Sequence, residues 1–323
     1  MREARGKKFL GQHFLRRSEI AEQMVELGEV GSSDLVVEIG PGKGVLTEKL
    51  LGAAREVIAI EKDEQLVFFL SLKFKNEIKA GKLTLVKGDA LSFEPADYLL
   101  QAGGYKLIAN IPYYITGAIL RRFFSEVVHP STVVLMIQKE VAERIVARGG
   151  KESVLSLAIK AYGVPTLAMR VGRGAFQPPP KVDSAVLLVK NISRKRFNHF
   201  LEEKIFFNLI KTGFASRRKT ILSNLKKITG KKLSNRGADS RLGDLTFLKS
   251  GEDGWGEEKG EVVKSAAEWL RSCGVEPSAR AEDLSLKKWL CLSARLAKNY
   301  RQLSFGESVD YRAAPQGKKG KLE

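Results

Sequence analysis

The stretch 106–114, KLIANIPYY, carries the residue types for one particular piece of chemistry. An apolar run ending at Ala109 reads as a buried parallel strand, and it stops at Asn110, followed by Ile111, Pro112 and Tyr113. The carboxyl ends of strands in an open α/β sheet face the ligand crevice, so an amide, a proline and an aromatic ring would share one pocket. Pro112 fixes its own φ and pushes Ile111 towards extended geometry, which turns the Ile111 carbonyl outward. The Asn110 side-chain oxygen and that carbonyl would then converge on one amino group. This suits alkylation of an exocyclic amine on a nucleobase, whose lone pair is delocalised into the ring until acceptors hold both N–H bonds out of plane. Tyr113 would supply a stacking face. An ordinary loop also uses Asn and Pro as turn residues, so the motif by itself leaves both readings open.

Other stretches have to supply the pocket. Residues 35–39 read as a buried strand followed directly by Gly40, Gly42 and Gly44, which lead into a helix, VLTEKLLG. The G-x-G-x-G spacing departs from the dinucleotide fingerprint and points to a nucleoside ligand without a pyrophosphate, with Glu38 two residues before the first glycine. The next strand, 56–60, ends at Glu61, where a carboxylate can accept from both ribose hydroxyls. A third strand, 83–87, runs into Gly88, Asp89 and Ala90, and Asp89 could accept from an adenine amine. Upstream, KKFLGQHFL over 7–15 reads as a docking arm, as a lid in which Gln12, His13 and Leu15 close over a small ligand, or as both.

Together, KKFLGQHFL, EIGPGKGVLTEKL, IEKD, GDAL, NIPYYIT and AFQPPPKVDSAVLLV resemble the ribosomal RNA small-subunit adenine N6,N6-dimethyltransferase family. The resemblance covers about residues 7–230 and the segment RAEDLSLKKWLCLSARL. It implies an α/β, Rossmann-like class I methyltransferase sheet with a smaller all-α C-terminal domain. It implies S-adenosyl-L-methionine as cofactor, with S-adenosyl-L-homocysteine as product, held by Gln12, His13, Leu15, Gly40, Gly42, Glu61, Lys62, Asp89, Ala90 and Asn110. It also implies dimethylation of two adjacent adenosines in the 3′-terminal hairpin of small-subunit rRNA. Asn110, Ile111, Pro112 and Tyr113 would carry the transfer, with Phe176, stiffened by three following prolines, stacking opposite Tyr113. A large-subunit methylase of the antibiotic-resistance type and a non-catalytic nucleic-acid binder on the same fold stay open as alternatives.

The bulk properties agree with a nucleic-acid partner. Of 323 residues, 55 are Lys or Arg and 37 Asp or Glu, a formal charge of +18 that calls for a polyanion. A helix over 119–126 carries Arg121 and Arg122, Lys181 lies in the proline loop, and a basic helix pair over 204–227 carries Arg217, Arg218 and Lys219. All six are expected to meet RNA in a pre-ribosomal particle. A fifth strand is expected over 132–137, a sixth over 156–161 and a last over 185–189. The catalytic domain is placed at 1–190 and a helical, basic domain at 191–323, with an insertion at 237–260, helices at 262–273 and 286–296, and a basic tail at 317–321. Cys273 and Cys291 read as buried free thiols of a reducing compartment, and the scattered histidines His13, His129 and His199 argue for no metal centre. With no apolar run of spanning length and no secretory leader, a cytoplasmic monomer off the membrane is expected.

Overall fold

The computed structural model describes residues 13–225 and 266–304. The chain divides into two compact units, Met1–Gly149 with Leu155–Arg194, and Gly150–Val154 with Lys195–Glu323.

In the first unit the strands are β1 (Phe14–Leu15), β2 (Leu35–Ile39), β3 (Glu56–Glu61), β4 (Leu83–Lys87), β5 (Lys106–Asn110), β6 (Thr132–Gln138), β7 (Val164–Val171), β8 (Phe176–Gln177) and β9 (Ser184–Lys190). Seven of them form one sheet in the order β4-β3-β2-β5-β6-β9-β7. Strands β2 to β6 run parallel, and β9 is inserted antiparallel between β6 and β7. The central strands are nearly continuous Val, Ile and Leu because helices cover both faces of such a sheet. Those helices are α1 (Ser18–Leu27), α2 (Val45–Ala53), α3 (Glu64–Lys73), α4 (Lys75–Lys79), α5 (Thr116–Ser125), α6 (Lys139–Val146) and α7 (Val154–Tyr162). From β2 the chain builds outward through β3 and β4, then returns to the other side of β2 as β5. Strand order therefore reverses between β2 and β5, and the crevice opens where Ile39 and Asn110 end. The remaining pair, β1 and β8, is antiparallel, with Leu15 opposite Phe176.

Two expectations in this unit are corrected. Residues 156–161 lie in α7, and the strand is β7 (Val164–Val171). A short apolar run has no decisive period, and Pro165 made the true strand look like a loop; it is tolerated because β7 is the sheet edge. Arg122, expected at the RNA, is turned inward from α5: it donates to the Phe93 carbonyl at 2.8 Å and pairs with Glu94 and Glu126. Arg121 next to it is exposed, since successive helical positions point about 100° apart.

In the second unit, α8 (Phe200–Gly213), α9 (Ile221–Leu225), α10 (Ala266–Ser272) and α11 (Leu286–Ser304) surround Phe206, Leu209, Ile210, Trp269, Trp289 and Leu292. Arg217, Arg218 and Lys219 sit exposed on the turn between α8 and α9 rather than on a helix face. Asn224, fully buried, donates to the Gly213 and Ser216 carbonyls at 2.7 and 3.0 Å and so anchors the start of that turn. Close packing shows at Gly213, where a Cβ would lie 2.3 Å from the Trp289 ring. Gly213→Ala should cost about 1–3 kcal/mol of stability, or more if the indole cannot shift, measured as a fall in the urea midpoint.

Cys273 and Cys291 are not free thiols: they form a disulfide between the end of α10 and α11, with Cα atoms 5.8 Å apart. The pairing depends on two helices meeting, which sequence spacing does not report, and the cysteines therefore give no support to a reducing compartment. The expected insertion at 237–260 and the tail at 317–321 lie outside the described residues, as do Lys226, Lys227 and the first residues of the helix expected at 262–273. No helix among the described residues is long and apolar enough to cross a membrane.

Candidate active site

A cavity opens at the reversal point, lined by the ends of β2, β3 and β5 and by the β1–β8 pair. Of the residues singled out in the sequence, His13, Leu15, Gly40, Gly42, Glu61, Asn110, Ile111, Pro112, Tyr113 and Phe176 line it together. Gln12 lies outside the described residues. Lys62, Asp89 and Ala90 stand beside the cavity and do not line it. Arg121 and Lys181 are exposed and are not among the residues that line it.

The floor is the glycine loop. Gly40, Gly42 and Gly44 all have positive φ, 64°, 59° and 78°, and the Gly40 N–H donates back to the Ile60 carbonyl at 2.9 Å. A Cβ on Gly42 would lie 3.0 Å from the Phe14 ring, so only glycine keeps that wall open. Glu61 lies under the loop, accepting from the N–H groups of Gly42, Lys62 and Asp63 at 3.3, 2.8 and 2.9 Å. Burial raises its pKa, against those three bonds. Oε2 carries only the long Gly42 contact among these, which leaves it room to accept further donors.

Glu38 is the cavity residue that motif reading undervalued. It is 1% exposed, and its Oε2 has no hydrogen-bond partner. Burial pushes its pKa up to about 8; Thr47 pulls it partly back, though the Thr47 hydroxyl itself completes no hydrogen bond in this geometry. A lone acid inside an otherwise apolar strand was the available signal. A buried acceptor that lines a cavity and lacks a donor fits a cationic group of a ligand.

The opposite wall comes from Asn110 and the residues after it. The Asn110 Nδ2 donates to the His13 carbonyl at 3.3 Å, which orients the amide and leaves its oxygen free of that bond. His13 in turn donates from Nδ1 to the Pro178 carbonyl at 2.8 Å, so the β1 strap and the proline loop hold one another. Tyr113 follows on a short 3-10 turn, its ring centroid 5.9 Å from that of His13. Phe176 is only 3% exposed and belongs to the hydrophobic core, yet it also lines the cavity. It therefore serves as packing and as a wall together. At the other end, Asp89 accepts from the Leu91 N–H at 2.9 Å and from Lys62 Nζ at 2.8 Å. The bond from Lys62 holds the Asp89 carboxyl below its usual range.

The sequence profile described as ribosomal RNA adenine dimethylase matches residues 3–247. The chain belongs to that family. A protein of Dehalococcoides mccartyi named ribosomal RNA small subunit methyltransferase A is 38% identical over 290 residues, 89% of this chain and 88% of the relative. A Clostridium botulinum protein of the same name is 36% identical over 238 residues, 73% of this chain and 85% of its own. Among solved structures, a Plasmodium falciparum dimethyladenosine transferase superposes with a TM-score of 0.68 at 27% identity, covering 89% of this chain and 98% of that one. The 23S rRNA methyltransferase ErmE superposes at 0.61 over 88% of this chain and 99% of its own, with 22% identity, a likeness of fold. As a member of the ribosomal RNA adenine dimethylase family the chain is a methyltransferase with a Rossmann-like sheet, and that chemistry uses S-adenosylmethionine.

Proposed function

We propose that this methyltransferase dimethylates N6 of two adjacent adenosines in the 3′-terminal hairpin of small-subunit rRNA, acting as a cytoplasmic monomer on a pre-ribosomal particle. The observation that carries the reading is Asn110 at the tip of β5, its Nδ2 tied to the His13 carbonyl, in one cavity with Tyr113 and Phe176. When bound, S-adenosylmethionine supplies an electrophilic methyl, whose carbon leaves sulfur as the adenine nitrogen bonds to it. The residues present fit that group. Gly40 and Gly42 let the backbone approach its amino-acid part, the unpartnered Glu38 oxygen would take its ammonium, and Glu61 its ribose hydroxyls. Asp89 would accept from the adenine amine once Lys62 releases it, and an ion pair this exposed, 65% and 37%, costs little to break.

On the acceptor side, Asn110 and the Ile111 carbonyl would hold the amine facing the donor, which is proximity catalysis. Stacking between Tyr113 and Phe176 offsets the cost of flipping the base out, at about 1–3 kcal/mol per base. The alkylated amine is acidic enough to pass its proton to water. Arg217, Arg218 and Lys219 would meet RNA phosphates from the turn after α8, with Arg121 and Lys181 as further contacts.

Incubation with labelled S-adenosylmethionine and small-subunit particles from a strain lacking the enzyme tests the reading, with mass spectrometry of the rRNA as readout. Dimethyladenosine at two adjacent positions is expected. Transfer to protein-free 23S-type RNA alone would move the assignment to the large subunit. Replacing Arg217 and Arg218 together by Ala should weaken RNA binding and lower the salt slope by roughly 0.7–0.9 per lost phosphate contact. Arg122→Ala should leave that slope unchanged and lower the melting temperature, because it strips partners from Glu94, Glu126 and the Phe93 carbonyl.

A further inference from the structure

Tyr113 and Phe176 reach the cavity from distant parts of the chain, one on the turn after β5 and the other on the loop between β7 and β9. A base stacked between them needs a slot of constant width. The Tyr113 hydroxyl and the Ser184 Oγ form a hydrogen bond of 2.6 Å. Ser184 is 0% exposed, and it pairs with Gln138 on β6 and Val171 on β7, so it is held in register on both sides. It is also where the Phe176 loop rejoins the sheet. The loop is drawn shut there: the Arg173 N–H donates to the Asp183 carboxylate at 3.1 Å, and the Lys139 N–H to the Asp183 carbonyl at 3.0 Å.

We propose that Ser184 is a positioning residue that sets the width of the base slot, its hydrogen bond to Tyr113 tying the wall after β5 to the loop that brings in Phe176. The His13 ring lies beside that of Tyr113, centroid to centroid 5.9 Å, so a shift of the Tyr113 ring would change the slot on that side. Burial raises the Tyr113 pKa, which keeps the hydroxyl protonated and the bond intact through the working range. Two transfers to one nitrogen make the requirement stricter, because the monomethylated base must be held, or re-enter, in the same plane. The inference rests on the base-methylating reading above.

The test compares wild type, Ser184→Ala, Tyr113→Phe, the double variant and Ser184→Thr on small-subunit particles. Each single loss of the bond should lower kcat about tenfold, with the Kd for donor and for RNA changed less than about twofold. The double variant should be no slower than either single one, the monomethyladenosine fraction should rise, and Ser184→Thr should restore rate and product ratio. If Ser184→Ala is poorly folded, Tyr113→Phe reports the same bond from the cavity side, where Tyr113 is only half-buried. Unchanged kcat and product ratio with only a lower melting temperature, or additive losses in the double variant, would overturn the slot assignment alone. A wild type that makes no methyladenosine would overturn the base-methylating reading and the slot with it.

Discussion

Asn110→Ala will slow methyl transfer by at least roughly a hundredfold in kcat while the Kd for RNA shifts by no more than about threefold. The asymmetry follows from geometry. The Asn110 amide spends its nitrogen on the His13 carbonyl, which leaves its oxygen to accept from an amine in the cavity. Truncation to Ala removes the acceptor and leaves intact the turn carrying Arg217 and Arg218, which is proposed to meet phosphates, so the loss falls on the chemical step. Single-turnover kinetics with the donor saturating separate the two quantities. A variant that kept its single-turnover rate and lost only RNA affinity would show that Asn110 does not act on the amine.

The donor-free protein will lose stability as pH rises from about 4.5 to about 8, and Glu38→Gln will remove most of that slope. Glu38 holds its proton up to about 8 in the folded state against an ordinary value of 4.5. In that window the folded chain binds more protons than the unfolded one, so unfolding free energy falls as pH climbs. The stabilisation is complete below 4.5 and gone above about 8, and the gap corresponds to at most about 5 kcal/mol. Glu61, also raised by burial, adds a smaller slope of the same sign that the Gln variant keeps. Urea unfolding at several pH values, wild type against Glu38→Gln, isolates the difference. Saturating S-adenosylmethionine should flatten the wild-type curve, because an ammonium beside Glu38 favours its ionised form. A variant with the same pH slope as wild type would mean that Glu38 is ionised in the fold and already has a partner.

Much of this molecule was legible before any coordinates. Strands β2 and β4 fall where the residue pattern puts them, because apolar runs bounded by glycine and charge admit few alternatives. The chemistry-bearing side chains, Glu61 and Asn110, stand at strand ends for the same local reason. Where periodicity was weak, over 154–171, helix and strand were exchanged, since an eight-residue edge strand containing proline resembles a loop.

What remained was decided by contacts between residues far apart in the chain. Whether Arg122 faces RNA or the Phe93 carbonyl, whether Cys273 meets Cys291, and whether Ser184 reaches Tyr113 each depend on which elements lie side by side. Local sequence carries residue type and periodicity, and those are enough to name an amide and a ring at the tip of a strand. The energy of a buried charge or a cross-sheet hydrogen bond depends on neighbours that only packing supplies, so the Tyr113–Ser184 bond and the state of Glu38 belong to the tertiary structure.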